Sequence, residues 1–350
     1  MYPYDVIVVG AGPYGRSIAA RAGAAGLDLR LFGRPPRPGP RGSVPPVPPL
    51  DDRTVTAVRP YGPRGFEVVT EDGESVRART VALAVGARPF AHVPDPVRHL
   101  APHLLTHSSE RYAPAGACGD VTVIGGGRAA LETALRLAEH ATRVRLIVRA
   151  PALAWAAPPP PGARPLPQRL RSPRGVLGDG WRNWFCARHP ALFRRLPAGL
   201  RSRTAPGAAG AWWLREAVEG AGLDVLVRHE VTHAAATARG RVRLTLTGPL
   251  GAATSLETDH VVAATGYRPA TARITLLSMP VHRRLGPAPE APPWLSPRFE
   301  SPHPGLFLTG PVAAPAFGPA LRCVQGVGFA AERVVEGVER RVGRTRPGTG

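Results

Sequence analysis

The chain has 350 residues, enough for two domains with real hydrophobic cores. Its formal net charge is +20, from 45 basic residues, all of them Arg, against 25 acidic ones. The arginines are scattered, accompany heavy Ala, Gly and Pro usage and come with no nucleic-acid-binding motif, so coding bias rather than nucleic-acid binding is the reading.

The first strand is expected at the very start of the chain, with no secretory signal and no apolar run of membrane-spanning length, so a cytoplasmic protein without membrane association is expected. Cys118, Cys186 and Cys323 lie far apart and imply no disulfide framework. No Cys-x-x-Cys or Cys-x4-Cys pattern occurs, which excludes the redox-active disulfide of the dithiol reductases.

The chain is organised around Asp5 to Phe32. The apolar run Val6 to Val9 suits a strand buried on both faces. Next comes Gly10-Ala11-Gly12-Pro13-Tyr14-Gly15: Gly10 for the tight turn, Gly12 for close approach of a pyrophosphate, Gly15 for close packing of helix on sheet. A helix over roughly Tyr14 to Ala25 aims its first amides at the phosphates, and Leu27 to Phe32 reads as the second strand.

Arg34 to Pro49 follows, with eight prolines between Pro35 and Pro49, an extended or disordered linker. Thr54 to Val58, Gly65 to Thr70 and Ser75 to Arg79 read as short strands, with Asp72-Gly73 as the turn joining the last two. Val81 to Ala87 is an apolar strand whose Gly86 either lets backbone approach a nucleotide or merely ends the strand. His92, His99, His103 and His107 lie among prolines without supporting Cys or paired acids, a solvated loop rather than a metal site, although His107 is a candidate neighbour of a cofactor.

Asp120 to Val148 repeats the opening design. Val121 to Ile124 is the strand, Gly125-Gly126-Gly127-Arg128-Ala129-Ala130 the loop with Ala130 in the third small position, and Val144 to Val148 the return strand. Leu131, Ala134, Leu135 and Ala138 give the intervening helix an apolar face. Two such loops suggest two dinucleotides, one a bound flavin and the other a hydride donor. Arg149 stands where NAD-specific sites carry an acid, which suits the 2′-phosphate of NADP, unless it is one more surface arginine.

Pro151 to Gly210 is loop-rich, with consecutive Pro158 to Pro161, and its Trp155, Trp181, Trp184 and Phe185 serve either as cofactor cover or as core filler. Ala211 to Ala221 is a helix carrying Trp212 and Trp213, and Leu223 to Arg228 and Val242 to Thr247 are strands. His260 to Pro269 has the type of Val81 to Pro89 and is expected to return the chain to the first domain. The stretch from Val342 to Gly350 is expected to fray.

The two glycine loops, the strand end Ala264-Thr265-Gly266-Tyr267-Arg268-Pro269 and the C-terminal stretch resemble the FAD- and NADPH-dependent flavoprotein monooxygenases, a group that includes the flavin-containing monooxygenases and N-hydroxylating enzymes. Leu31 to Pro35, Val148 to Pro151 and Phe317 to Arg322 are similar to bacterial FAD-dependent urate hydroxylase-type proteins. The resemblance implies an α/β fold of two Rossmann-like domains, the NADPH domain inserted into the FAD domain: residues 1–115 and 259–338 for FAD, 116–258 for NADPH, and a disordered tail over 339–350. It implies FAD on Gly10, Gly12, Pro13, Tyr14, Gly15, Arg34, Val58 and Gly86, with Leu306 to Gly310 and Phe317 to Arg322, Pro319 included, closing over the flavin. It implies NADPH on Gly125, Gly127, Arg128, Ala130 and Arg149, and cofactor contacts at Thr265, Gly266 and Tyr267 on the strand end in the second FAD portion.

The implied reaction is hydroxylation of a small organic substrate with O2 through a flavin hydroperoxide; homo-oligomers are compatible with it, and no metal or catalytic side chain is assigned. The chain departs from the relatives where only Arg34 to Pro49 fills the place of a longer flavin-covering segment. An open flavin leaks peroxide. An NADPH oxidase or flavin reductase, and a non-catalytic nucleotide-binding protein, are therefore the alternatives.

Overall fold

The computed structural model describes residues 3–34, 50–110, 118–156, 158, 174–175, 178–203 and 211–343. The proline-rich linker from 35 to 49, residues 159–161 of the proline run and the tail from 344 onward lie outside them. In chain order the first elements are β1 (Tyr4–Val9), α1 (Pro13–Ala24), β2 (Leu29–Phe32), β3 (Leu50–Asp51), β4 (Val55–Tyr61), β5 (Gly65–Thr70), β6 (Ser75–Leu83), β7 (Leu105–His107), β8 (Cys118–Ile124), α2 (Arg128–Ala138) and β9 (Ala141–Val148). There follow β10 (Arg174–Gly175), β11 (Gly178–Asp179), α3 (Trp181–Arg188), α4 (Pro190–Phe193), α5 (Ala198–Arg203), α6 (Arg215–Gly220), β12 (Asp224–Val227), β13 (Glu230–Ala236), β14 (Val242–Thr247), β15 (Ala253–Thr258) and β16 (His260–Ala263). The chain finishes with α7 (Met279–Leu285), β17 (Leu306–Leu308), α8 (Ala314–Phe317) and α9 (Val327–Val342).

Two compact units emerge. One comprises Met1–Phe90, Leu166–Ala205 and Pro269–Gly350; the other comprises Ala91–Pro165 and Pro206–Arg268. The changes of unit thus fall at 90 and 268, where the sequence suggested 115 and 258, and residues 166–205 count with the first unit.

The first unit is built on the sheet β3-β2-β1-β6-β5-β4, with β17 also paired to β6. Val6, Ile7 and Val8 are wholly buried, as a central parallel strand covered on both faces requires. The strands expected at Ser75 to Arg79 and Val81 to Ala87 are one strand, β6. Its first half pairs antiparallel with β5 and its second half parallel with β1 and β17. No turn residue interrupts Ser75–Leu83, and the Thr80 hydroxyl ties the strand to β1 by donating to the Asp5 carbonyl at 2.7 Å. α1 packs on α9, which continues through Val342, so residues 339–342 of the expected tail are helical.

The second unit holds the parallel sheet β12-β9-β8-β16-β7 and the antiparallel sheet β13-β14-β15. β16 pairs with both β8 and β7, so His260–Ala263 completes the second sheet, and the chain returns to the first unit at Pro269, the end of the stretch expected to carry it back. The helix expected from Ala211 is a 3-10 turn, Trp212–Leu214, leading into the short α6.

Candidate functional site: two glycine cradles

Each unit carries the same backbone construction at the carboxyl end of its parallel sheet. In the first, β1 ends at Gly10, whose φ of +115° turns the chain sharply and whose N–H donates to the Phe32 carbonyl at 2.8 Å. A Cβ on Gly10 would lie 2.2 Å from the Ala84 carbonyl oxygen, and one on Gly15 only 1.7 Å from the Gly10 oxygen. These two positions hold strand and helix backbone in contact. Gly12 differs: no heavy atom lies within 4 Å of where its Cβ would be. The mouth of α1 is open there, α1 has Pro13 at its first position, and no side chain caps its amides. No acidic residue occupies its first turn, so the free N–H groups are suited to an anion.

In the second unit Gly125 has φ +141°, donates to the Ile147 carbonyl at 3.0 Å and would place a Cβ 2.4 Å from the Ala264 carbonyl oxygen. Ala130, fully buried, lies against Gly125 in the third small position. Gly127 precedes α2 without a side-chain cap, and α2 also lacks an acid in its first turn. The symmetry extends to the neighbouring strand. The Ala84 N–H donates to Val9 and the Ala264 N–H to Ile124, both at 2.8 Å. Gly86 and Gly266 follow at φ +74° and +81°, each with open space where a side chain would stand.

Around the first cradle the implied residues have different fates. Tyr14 turns its ring inward: its phenol donates to the Leu321 and Cys323 carbonyls at 2.8 Å, and burial pushes its pKa well above the ordinary phenol value. Only its backbone remains for a phosphate. Gly310, at φ +79°, stands beside that ring, and Pro319 opens the short turn that the phenol holds. The Thr309 hydroxyl just before Gly310 is buried with no hydrogen-bond partner among the described residues. Val58 is fully buried, and its N–H and carbonyl are spent on Leu276 and Ser278. Arg34 is exposed and lies 3.8 Å from Glu71. The acid nearest the end of β2 is Asp51, held by Arg53 and Arg30 at 2.7 Å each; Arg53 first, then burial-opposed Arg30, keep its carboxyl down at about 2.

Around the second cradle, Arg149 is exposed at the end of β9, 3.7 Å from Glu230. Arg128 pairs with Glu132 at 2.7 Å and lies over the ring of Trp213, 5.2 Å from its centroid. The Thr265 hydroxyl donates to the His92 carbonyl, and Tyr267 meets His107 edge to face at 5.3 Å. His107 is buried. The Ser109 N–H donates to its Nδ1 at 3.1 Å, so Nδ1 must accept and Nε2 must carry the proton given to the Gly266 carbonyl at 3.1 Å. Burial lowers its pKa, which keeps it neutral in that tautomer. His99 bonds the Ala234 carbonyl at 3.0 Å while remaining exposed, as His103 is; of the four histidines His107 is the buried one. Among the described residues no group of His, Cys, Asp or Glu is arranged to hold a metal. Of the aromatics weighed between cover and core, Trp181 is half exposed and meets Trp184 edge to face at 5.4 Å in the first unit.

An FAD pyrophosphate fits the first cradle by three features of these residues: the open face at Gly12, the uncapped amides of α1 and the orphaned Thr309 hydroxyl. The second cradle offers the same amides together with exposed Arg128 and Arg149. Sequence reasoning did not single out Trp213, Thr309 or Asp51. Of these, Thr309 falls inside the Leu306 to Gly310 stretch already expected near the flavin, and the aromatic pair Trp212-Trp213 left a local signal.

This is the fold of the flavoenzymes with two dinucleotide-binding domains. The L-lysine 6-monooxygenase/L-ornithine 5-monooxygenase family model matches residues 52–157. The ornithine N-hydroxylase of Kutzneria sp. 744 superposes with a TM-score of 0.73 at 17% identity, covering 97% of this chain and 99% of that one. The L-lysine 6-monooxygenase of Pseudomonas syringae gives 0.71 at 18%, over 97% and 100% of the two chains. The cadaverine monooxygenase of Erwinia amylovora, solved with FAD, gives 0.68 at 15%, over 97% and 95%. Within its class the chain is therefore similar to the N-hydroxylating monooxygenases, and the likeness to urate hydroxylases finds no support among these matches. The sequence matches no curated protein. Among the described residues no helix is long and apolar enough to cross a membrane.

Proposed function

We propose that the chain is an FAD- and NADPH-dependent monooxygenase that hydroxylates the nitrogen of a small aliphatic amine: R–NH2, O2, NADPH and H+ give R–NHOH, NADP+ and water. The observation that carries this reading is the duplicated cradle, one open set of helix amides in each unit. The family match and the amine substrates in the relatives' names, ornithine, lysine and cadaverine, supply the reaction class.

FAD is assigned to Gly10, Gly12, Gly15 and the Pro13 and Tyr14 backbone, with Arg34, Gly86, Gly310 and Pro319 around it. NADPH is assigned to Gly125, Gly127, Arg128, Ala130 and Arg149, with Thr265, Gly266 and Tyr267. Bound flavin would supply the redox chemistry between the nicotinamide and oxygen. The protein's own part is binding and orientation. The amides of α1 and α2 neutralise phosphate charge. The Tyr14 phenol fixes the segment after Pro319 beside the first cradle. Neutral His107 fixes the Gly266 carbonyl in the second.

One feature favours a second reading, an NADPH oxidase that releases peroxide: only Arg34 to Pro49 stands where the sequence resemblance implies a longer flavin-covering segment. The test uses the purified full chain with FAD, NADPH and L-lysine, L-ornithine or cadaverine, measuring hydroxylamine and peroxide. Hydroxylamine from any one amine supports the monooxygenase. NADPH consumption yielding peroxide alone selects the oxidase, and a protein that binds no flavin refutes both.

A further inference from the structure

Trp212 and Trp213 are exposed to 40% and 53%. They meet edge to face at 5.8 Å, and the Arg128 guanidinium lies over the ring of Trp213. Arg128 is the first residue of α2, immediately after Gly127 of the second cradle. The aromatic pair therefore stands at the mouth of that cradle.

The topology says on which side. α2 joins β8 to β9, and α6, which packs on α2, leads to β12 beyond β9. Trp213 precedes α6 and so lies on the β9 side of the cradle. That is the side where the end of the second strand reads the adenosine ribose of a dinucleotide, and here Arg149 follows directly on that strand. An exposed indole with a guanidinium on one face offers the rest of its surface for stacking.

We propose that Trp213 is the stacking platform for the adenine of the nicotinamide dinucleotide, positioned by the Arg128 guanidinium over its ring and by its perpendicular contact with Trp212. The inference rests on the reading of the second cradle as the NADPH site. It separates two contributions: Arg149 reads the 2′-phosphate, whereas Trp213 reads the base that NADPH and NADH share. Another place for the base exists in this unit. A cavity of about 440 Å³ lies beside α6, lined by Leu153, Trp155, Val218, Leu223, Val225 and Val227.

The test measures binding of NADPH, NADH, 2′-phospho-ADP-ribose and reduced nicotinamide mononucleotide to the FAD-loaded full chain by calorimetry. Trp213→Leu should weaken the three adenine-bearing probes by a common factor of roughly ten, the size of one base–aromatic stacking contact. It should leave the mononucleotide unchanged, and Trp213→Phe should restore most of the loss. In the wild type, 2′-phospho-ADP-ribose should quench indole emission, and Trp213→Phe should remove that part of the quench. Equal affinities for wild type, Leu and Phe variants overturn the proposal, as does a loss equal for the mononucleotide. A loss in Trp155→Ala with Trp213→Leu silent puts the base in the cavity and also overturns it. Should the Leu variant not fold, the wild-type quench and its change in the Phe variant decide alone. A wild type that binds none of the probes refutes the NADPH reading itself, a distinguishable result.

Discussion

The phenol of Tyr14 and the carbonyl of Leu321 are joined by a 2.8 Å hydrogen bond across 307 residues of chain. It ties the first turn of α1 to the C-terminal segment. The bond is buried, and Gly326 leaves room for it: a Cβ there would stand 2.7 Å from the phenol oxygen. Tyr14→Phe leaves two carbonyls short of a donor and should cost about 1–3 kcal/mol. A thermal melt checks it, with the expected result a clear fall in Tm and weaker flavin retention. An unchanged melt would show that the bond contributes nothing.

Gly12 and Gly15 look alike in the motif but should fail differently. Gly15→Ala drives a methyl into the Gly10 carbonyl and should destabilise the first unit by several kcal/mol, beyond the usual about 1–3 for overpacking, because backbone cannot yield. Gly12→Ala meets no protein atom, so the apoprotein should melt as the wild type does, yet the methyl intrudes where a pyrophosphate would lie. Equilibrium dialysis against FAD alongside apoprotein melts reads both. Full FAD affinity in a folded Gly12→Ala protein would place the phosphate elsewhere.

Arg149 is exposed and shares its charge with Glu230 across 3.7 Å. Arg149→Ala should weaken NADPH by roughly 10- to 100-fold, the range for one hydrogen bond to a charged group, and NADH little. Glu230→Gln, which frees the guanidinium, should tighten NADPH slightly. Equal losses for the two dinucleotides in Arg149→Ala would remove Arg149 from the 2′-phosphate.

His107, His260 and His303 are all pushed below their ordinary pKa, first of all by burial. The unfolded chain, with histidines near about 6.5, then binds protons that the folded chain refuses. Their contribution to stability is complete above that value and is lost as the pH falls through the lower folded values. Urea midpoints between about pH 8 and pH 5 should therefore fall on the acid side. His107→Gln, which keeps a donor for Gly266, should flatten the slope, and a wild-type midpoint constant across the range would contradict the assignment.

The sequence by itself determined the local designs. Gly10 to Gly15 and Gly125 to Ala130 were legible because tight turn, close approach and helix packing each demand a small residue at a set spacing. The apolar runs at Val6 and Val121 and the Asp72-Gly73 turn were legible for the same local reason. Tertiary structure alone decided partners. Periodicity reports which face is buried but not what covers it, so β16 could not be assigned to β8 and β7, strands more than 130 residues earlier, from its own residues. Nor could Asp51 be seen as neutralised by Arg30 and Arg53, or Trp213 as lying over Arg128, because side chains distant in sequence meet only when the sheets are assembled.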